Sequence, residues 1–388
     1  KKLAMLPLTD TQTYFSYLQC SLTGERYSKE RLQTYSVARQ PLVAHYNFDK
    51  EISKEVLLGR PNTMWRYQEF LPVHEKNYIV SLGEGMTPIL PFQSAKNVFL
   101  KDEALNPTGS FKARGLSMAI SKAKELGVRK CVIPTAGNAG GAMSAYCARA
   151  GLEAFVYMPT ATPKLFQQEC QLLGAKVTLV DGTIADCAAA IKEENEKDWF
   201  DISTLKEPYR LEGKKTMGLE IAEQMNWELP DVIIYPTGGG TGLLGIWKAF
   251  SELEELGWIH GPKPKMVVVQ VEACHPIVQA WEQNQEQAVP FDHPGSTIAN
   301  GLRVPAAFGD RMILQVLRES KGYAITVSEQ DMQDGIKEVA TNEGILLSPE
   351  GSAVWMAYKK LLHQEKVSRQ DKVLLINTGS LYKYMENL

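Results

Sequence analysis

From about Lys130 onward, two patterns of apolar positions alternate along the chain. Short, continuous apolar and β-branched runs, "KCVIPTA" (130–136), "EAFVYMP" (153–159) and "AKVTLVDG" (175–182), are each followed by a longer run with helical spacing: "AGGAMSAYCARAG", "TPKLFQQECQLLG" and "TIADCAAAIKEENEK". The alternation resumes with "DVIIYPT" (231–237), "LLGIWKAFSELEELG", "KMVVVQVE" (265–272), "YAITVS" (323–328), "SEQDMQDGIKEVATNEG" and "DKVLLINTG" (371–379). A strand that is apolar on both faces needs cover on both sides, and strands alternating with helices supply it as a parallel sheet flanked by helices. The pattern predicts an α/β protein with two open, mainly parallel twisted sheets. Between the two series, "DISTLKEPYRLEGKK" (201–215) has mixed polarity and is interrupted by Pro208, which makes it the predicted crossing between domains. The first eighty or so residues are aromatic-rich, broken by prolines and without a clear period. The expected organisation is an N-terminal extension over 1–78, a small domain over 111–214, and a large domain assembled from 79–110 and 215–388.

Composition narrows the class of partner. A chain of 388 residues, 44% hydrophobic, buries a sizeable core and suggests two domains. Its formal net charge of −3, with both signs scattered, offers no basic stripe for a nucleic-acid backbone, so no nucleic-acid partner is expected. No apolar run approaches a membrane span, and "KKLAMLPLTD" meets Pro7 and Asp10 too early for a signal sequence, so the expectation is a cytoplasmic protein with no membrane partner. The six cysteines (20, 131, 147, 170, 187 and 274) include no C-x-x-C pair, and the six histidines form no HExxH. Neither a disulfide framework nor a metal site is indicated.

Candidate chemistry lies where predicted strands end and helices begin, since open α/β sheets bind ligands there. In "NPTGSFKARG" (106–115), five turn or cap residues precede a helix; Ser110 is placed to cap it, and Lys112 falls in its first turn. The positive end of the helix dipole disfavours an ammonium there, and a neutral lysine amine forms Schiff bases with carbonyls. The ordinary alternative is a solvated lysine, like Lys122 or Lys124. In "PTAGNAGGAMSAY", Asn138 is either an N-cap or a donor to a ring oxygen, and the small residues 139–142 permit close approach of a backbone or a flat ligand. The third loop, "PTGGGTGLLG" (236–245), presents backbone N–H groups at a helix start, a cradle for phosphate. Gly240, Gly242 and Gly245 also satisfy GxGxxG, with Glu272 ending the next strand, so a dinucleotide-binding unit is a rival reading.

An aldehyde-accepting lysine, a phosphate cradle and a polar contact to a ring hydroxyl together point to pyridoxal 5'-phosphate. The stretches "EGMTP" (84–88), "LNPTGSFKARG" (105–115), "TAGNAGGAMSAYCARAG" (135–151), "YRLEGKKT" (209–216), "PTGGGTG" (236–242), "TIANGLRVP" (297–305) and "LLINTGS" (374–380) resemble, in collinear order, the fold-type II pyridoxal-phosphate enzymes, and threonine synthases most closely. The resemblance implies that Lys112 holds the cofactor and acts as the catalytic base, and that Asn138 bonds the ring 3′ oxygen. It also implies that the amides of Gly238, Gly239, Gly240 and Thr241 hold the phosphate, and that Thr378 bonds the pyridine nitrogen. Thr135, Arg210, Lys215 and Arg303 are the implied substrate contacts, no metal is implied, and the large domain is the implied cofactor-binding one. The implied reaction converts the amino acid O-phosphohomoserine and water to L-threonine and phosphate, in a homodimer. Ala113 in "FKARG" departs from the family's "FKDRG", and "STLKE" does not reproduce its Asn-Ser pair. Serine/threonine dehydratase or β-replacement chemistry stays open, as does a catalytically silent pyridoxal-binding protein. "LQCSLTGERYS" resembles a cysteine knuckle reduced to Cys20, without zinc.

Overall fold

The computed structural model describes residues 13–48, 52–194 and 198–387. The expectation made for "KKLAMLPLTD" and the end of the helical run at 195–197 lie outside the described residues. The chain divides into two units. The first comprises the residues up to Met86, Asn106–Thr108 and Lys112–Met217; the second comprises Thr87–Leu105, Gly109–Phe111 and the chain from Gly218 onward.

Strands β1 (Phe15–Cys20), β2 (Arg26–Tyr27) and β3 (Leu42–Tyr46) form an antiparallel sheet of order β2-β1-β3 in the first unit. The chain then lays down β4 (Ile89–Pro91) and β5 (Val98–Asp102) in the second unit and enters α1 (Lys112–Glu125) in the first. From there β6 (Lys130–Pro134), α2 (Asn138–Ala150), β7 (Glu153–Pro159), α3 (Lys164–Leu172), β8 (Lys176–Val180), α4 (Ile184–Glu194) and β9 (Trp199–Asp201) follow. Their sheet has the order β8-β7-β6-β9 and is parallel throughout. Helix α5 (Tyr209–Gln224) carries the chain into the second unit. That unit continues with β10 (Val232–Pro236), α6 (Thr241–Glu255), β11 (Lys265–Val271), α7 (Pro276–Glu282), α8 (Asp310–Glu319), β12 (Tyr323–Val327), α9 (Glu329–Glu343), α10 (Pro349–His363) and β13 (Val373–Asn377). The sheet order is β12-β11-β10-β13-β5-β4, parallel except for β4 against β5.

The two mainly parallel sheets are those the sequence pattern predicts. The fully buried burial pattern of β10 and β13 explains their unbroken apolar text. The N-terminal residues depart from the expectation of an extension: they build a third sheet and belong to the first unit. A carboxylate supplies the reason. Glu84 is wholly buried and accepts from Trp65 Nε1 at 2.9 Å, Ser117 Oγ at 2.7 Å, Tyr146 Oη at 2.6 Å and the Leu82 N–H at 2.8 Å. One acid thus joins the N-terminal segment to α1 and α2, and burial without those donors would be costly. The predicted crossing at 201–215 lies just before the observed division, inside α5, at Met217 and Gly218. All six cysteines are buried thiols.

Candidate active site

The turn before α1 is wound in an uncommon way. Thr108 and Gly109 adopt positive φ in succession, +59° and +64°, and a non-glycine residue there carries strain that its surroundings must hold. Pairing supplies the hold within the second unit. The Ser380 N–H donates to Gly109 O at 2.9 Å, Ser110 bridges Gly379, and the Phe111 N–H donates to Thr378 O at 3.1 Å. Lys112 is the next residue and the first of α1. The first turn of α1 contains no acidic residue, so the helix itself brings the lysine no counter-charge. Ser110 does not cap the helix as expected. Its hydroxyl is buried without a hydrogen-bond partner, because the backbone pairing with Gly379 fixes the residue instead.

Within the first unit, Asn138 opens α2 and Gly137 is its N-cap. Thr135 is buried at the end of β6, where its Oγ1 accepts from the Gly137 N–H at 3.3 Å. The glycines behind Asn138 answer to protein packing. A Cβ on Gly140 would stand 2.9 Å from Thr135 Cγ2 and 3.0 Å from Met158 Cε, and one on Gly141 2.2 Å from Glu169 Oε2.

The glycine loop belongs to the second unit. Gly240 is left-handed at φ +73°, and α6 starts at Thr241 with no side-chain cap. A Cβ on Gly238 would stand 2.2 Å from Gly301 O, and one on Gly240 2.3 Å from Ile313 Cδ1. Gly239 lies between them. Backbone amides at an uncapped helix start, where a Cβ at Gly238 or Gly240 would collide with the protein, suit a phosphate, so the residues present fit pyridoxal phosphate. Thr378, buried, follows β13 in the same unit.

The basic residues implied as substrate contacts separate into distinct environments. Lys215 is wholly buried, bonds Glu212 Oε2 at 2.6 Å and lies 3.8 Å from the centroid of the Tyr46 ring; Tyr46 Oη donates to the same Glu212 oxygen at 2.8 Å. This ion pair within α5 is therefore buried. Arg210 is also buried. Its Nη1 donates to Ile202 O at 2.8 Å, while Nε and Nη2 have no partner among the described residues. Arg303 is exposed in the second unit and donates to Pro294 O at 3.1 Å.

Two buried residues of the first unit carry no signal in the linear text. Glu207 caps α5, accepting from the Tyr209 N–H at 2.7 Å and the Arg210 N–H at 3.0 Å; burial pushes its carboxyl up to about 7 against the pull of Arg210. Lys214 is wholly buried one position before Lys215. In sequence it reads as half of a surface Lys-Lys doublet.

The chain belongs to the pyridoxal-phosphate dependent enzyme family, which matches residues 80–379. It is 32% identical over 373 residues to a threonine synthase of Methanocaldococcus jannaschii, covering 93% of this chain and 91% of that protein. A threonine synthase of Synechocystis is 34% identical over 325 residues, 81% of each. Among solved structures, maize serine racemase superposes with a TM-score of 0.65 at 20% identity, over 78% of this chain and 93% of that one. The processed form of threonine deaminase isoform 2 from Solanum lycopersicum gives 0.62 at 20%, over 77% and 87%. These two share the fold.

Proposed function

We propose that the chain is a threonine synthase, a pyridoxal-phosphate-dependent lyase that converts O-phosphohomoserine and water to L-threonine and phosphate. The relatives that match nearly its whole length at 32% identity carry that name and support the reading. When bound, pyridoxal phosphate supplies an aldehyde that takes up the substrate amine and a ring that withdraws electrons from the substrate carbons. In this proposal Lys112 carries the cofactor, the amides of Gly238, Gly239, Gly240 and Thr241 hold its phosphate, Asn138 bonds its 3′ oxygen, and the Thr378 hydroxyl faces its ring nitrogen. Once displaced, Lys112 Nζ removes the proton at the substrate Cα and then at Cβ. Thr135 and Arg303 are proposed to bond the polar groups of the amino acid. The enzyme is proposed to act as a cytoplasmic homodimer; no helix among the described residues is long and apolar enough to cross a membrane.

Arg210 is the structural observation that carries the substrate choice. A buried guanidinium with two donors unspent is suited to an oxyanion, and O-phosphohomoserine brings a dianionic phosphate where serine and threonine bring a hydroxyl. Lys215, already bonded to Glu212, is assigned to holding α5 in place of a substrate contact. Each charge-assisted hydrogen bond contributes roughly 1.5 to 3 kcal/mol, so Arg210→Gln is expected to raise KM for O-phosphohomoserine by roughly ten- to a hundredfold. Slow deamination of threonine should be scarcely changed. A parallel fall of both activities would make Arg210 structural and remove this assignment.

A further inference from the structure

The turn Asn300–Leu302 backs the glycine loop within the second unit. A Cβ on Gly238 would meet Gly301 O at 2.2 Å and Val304 Cγ2 at 2.9 Å, so the Cα of Gly238 rests against this turn. On its other side the turn has one fixed point. The Gly301 N–H donates to Glu350 Oε1 at 3.0 Å, and a Cβ on Gly301 would stand 2.8 Å from the same oxygen. Glu350 is the second residue of α10, where an acid is ordinarily an exposed complement to the helix dipole. Here it is buried, and Tyr384 Oη donates to its Oε1 at 3.2 Å. The start of α10 is in turn anchored on the strand end that leads to Thr378: Ser348 caps the helix and donates to Asn377 Oδ1 at 3.1 Å, while Asn377 Nδ2 donates to Asp102 Oδ1 at 2.8 Å. A continuous line of hydrogen bonds and close packing thus runs from β13 through the head of α10 and Glu350 to Gly301 and Gly238.

We propose that Glu350 is a positioning residue for the phosphate cradle: through Gly301 it fixes Gly238, and with it the direction in which the loop amides meet a phosphate. Hydrogen bonds weaken steeply as donor and acceptor leave alignment, so a small rotation of the loop is felt at the phosphate. In this role Glu350 touches neither cofactor nor substrate. The inference rests on the reading that the glycine loop holds the cofactor's phosphate.

The test compares pyridoxal phosphate with pyridoxal, which has the same ring and aldehyde and no phosphate, by equilibrium dialysis against the full chain. The parent should bind pyridoxal phosphate at least about tenfold more tightly than pyridoxal; equal affinities would remove the cradle reading, and this inference with it. Glu350→Met, which takes away the acceptor of the Gly301 N–H, should raise Kd for pyridoxal phosphate about tenfold and Kd for pyridoxal less than about threefold, a selective loss that general loosening of the fold does not give. Glu350→Gln keeps an acceptor oxygen and should stay within about threefold of the parent for both ligands. Gly301→Ala leaves Glu350 in place but presses a methyl group on its Oε1, and should show the same selective loss, so the inference is tested even where Glu350→Met does not fold. A Met or Ala variant that binds pyridoxal phosphate as the parent does, or that loses both ligands alike, would overturn the positioning role and leave the cradle reading standing. A Gln variant as weak as the Met one would do the same.

Discussion

Lys112 acquires its character from the turn that delivers it. The positive-φ pair Thr108 and Gly109 and the Phe111 bond to Thr378 O set where α1 begins, and a lysine in that first turn has no acid beside it on the helix. Lys112→Ala should lose the visible absorption of the loaded protein, and borohydride should then fix no cofactor; a variant still labelled through another lysine would contradict the assignment. The loop glycines are demanded by space as well as by conformation. Gly238→Ala should place a methyl group against Gly301 O and weaken cofactor retention in equilibrium dialysis while lowering Tm; unchanged retention would speak against the cradle. Glu207 gives a pH signature. Its folded value of about 7 lies above the ordinary 4.5, so the folded state holds the proton more tightly than the unfolded chain. The stability this confers is lost as pH rises through that window, at a limit of about 1.4 kcal/mol per unit. Urea unfolding at pH 5 and pH 7 should show parent stability falling more than that of Glu207→Gln; equal slopes would contradict the assigned burial.

Strands and helices differ in how much of themselves they show in sequence. Strands β6, β7, β8, β10, β11, β12 and β13 were legible because apolar runs bounded by turn residues can do little else. Strand β9 was not, since three residues carry no period, and its place beside β6 depends on a contact 69 residues away, Lys130 with Trp199. Strand β5, "VFLKD", places the wholly buried Lys101 inside a sheet, which the local pattern argues against. Its neutralisation comes from α5: Lys101 Nζ bonds Glu220 Oε2 at 3.0 Å, Gln224 Oε1 at 2.8 Å and Thr87 O at 2.7 Å. Breaking a buried pair strands the survivor, so Lys101→Met alone should cost about 3 to 5 kcal/mol in chemical unfolding, and the double variant Lys101→Met with Glu220→Leu should recover much of it. A single variant as stable as the parent would mean the pair is not buried in solution. The candidate site divides in the same way. Lys112 and the glycine loop stand in their own local text, whereas Lys214 derives its environment from the packing of α5 against Gly115 of α1, and Glu207 from its burial at the start of α5.

For the whole molecule, the shared fold leaves several chemistries open, since serine racemase and threonine deaminase superpose on it as well. The extent of its likeness to threonine synthases and the buried Arg210, with two donors unpartnered among the described residues, favour one of them. The most direct measurement is incubation of the cofactor-loaded protein with O-phosphohomoserine, with phosphate, threonine and ammonia followed in the same samples. Phosphate and threonine should be released in equal amounts, with little ammonia. Vigorous ammonia release from threonine or serine, with no phosphate released from O-phosphohomoserine, would contradict it.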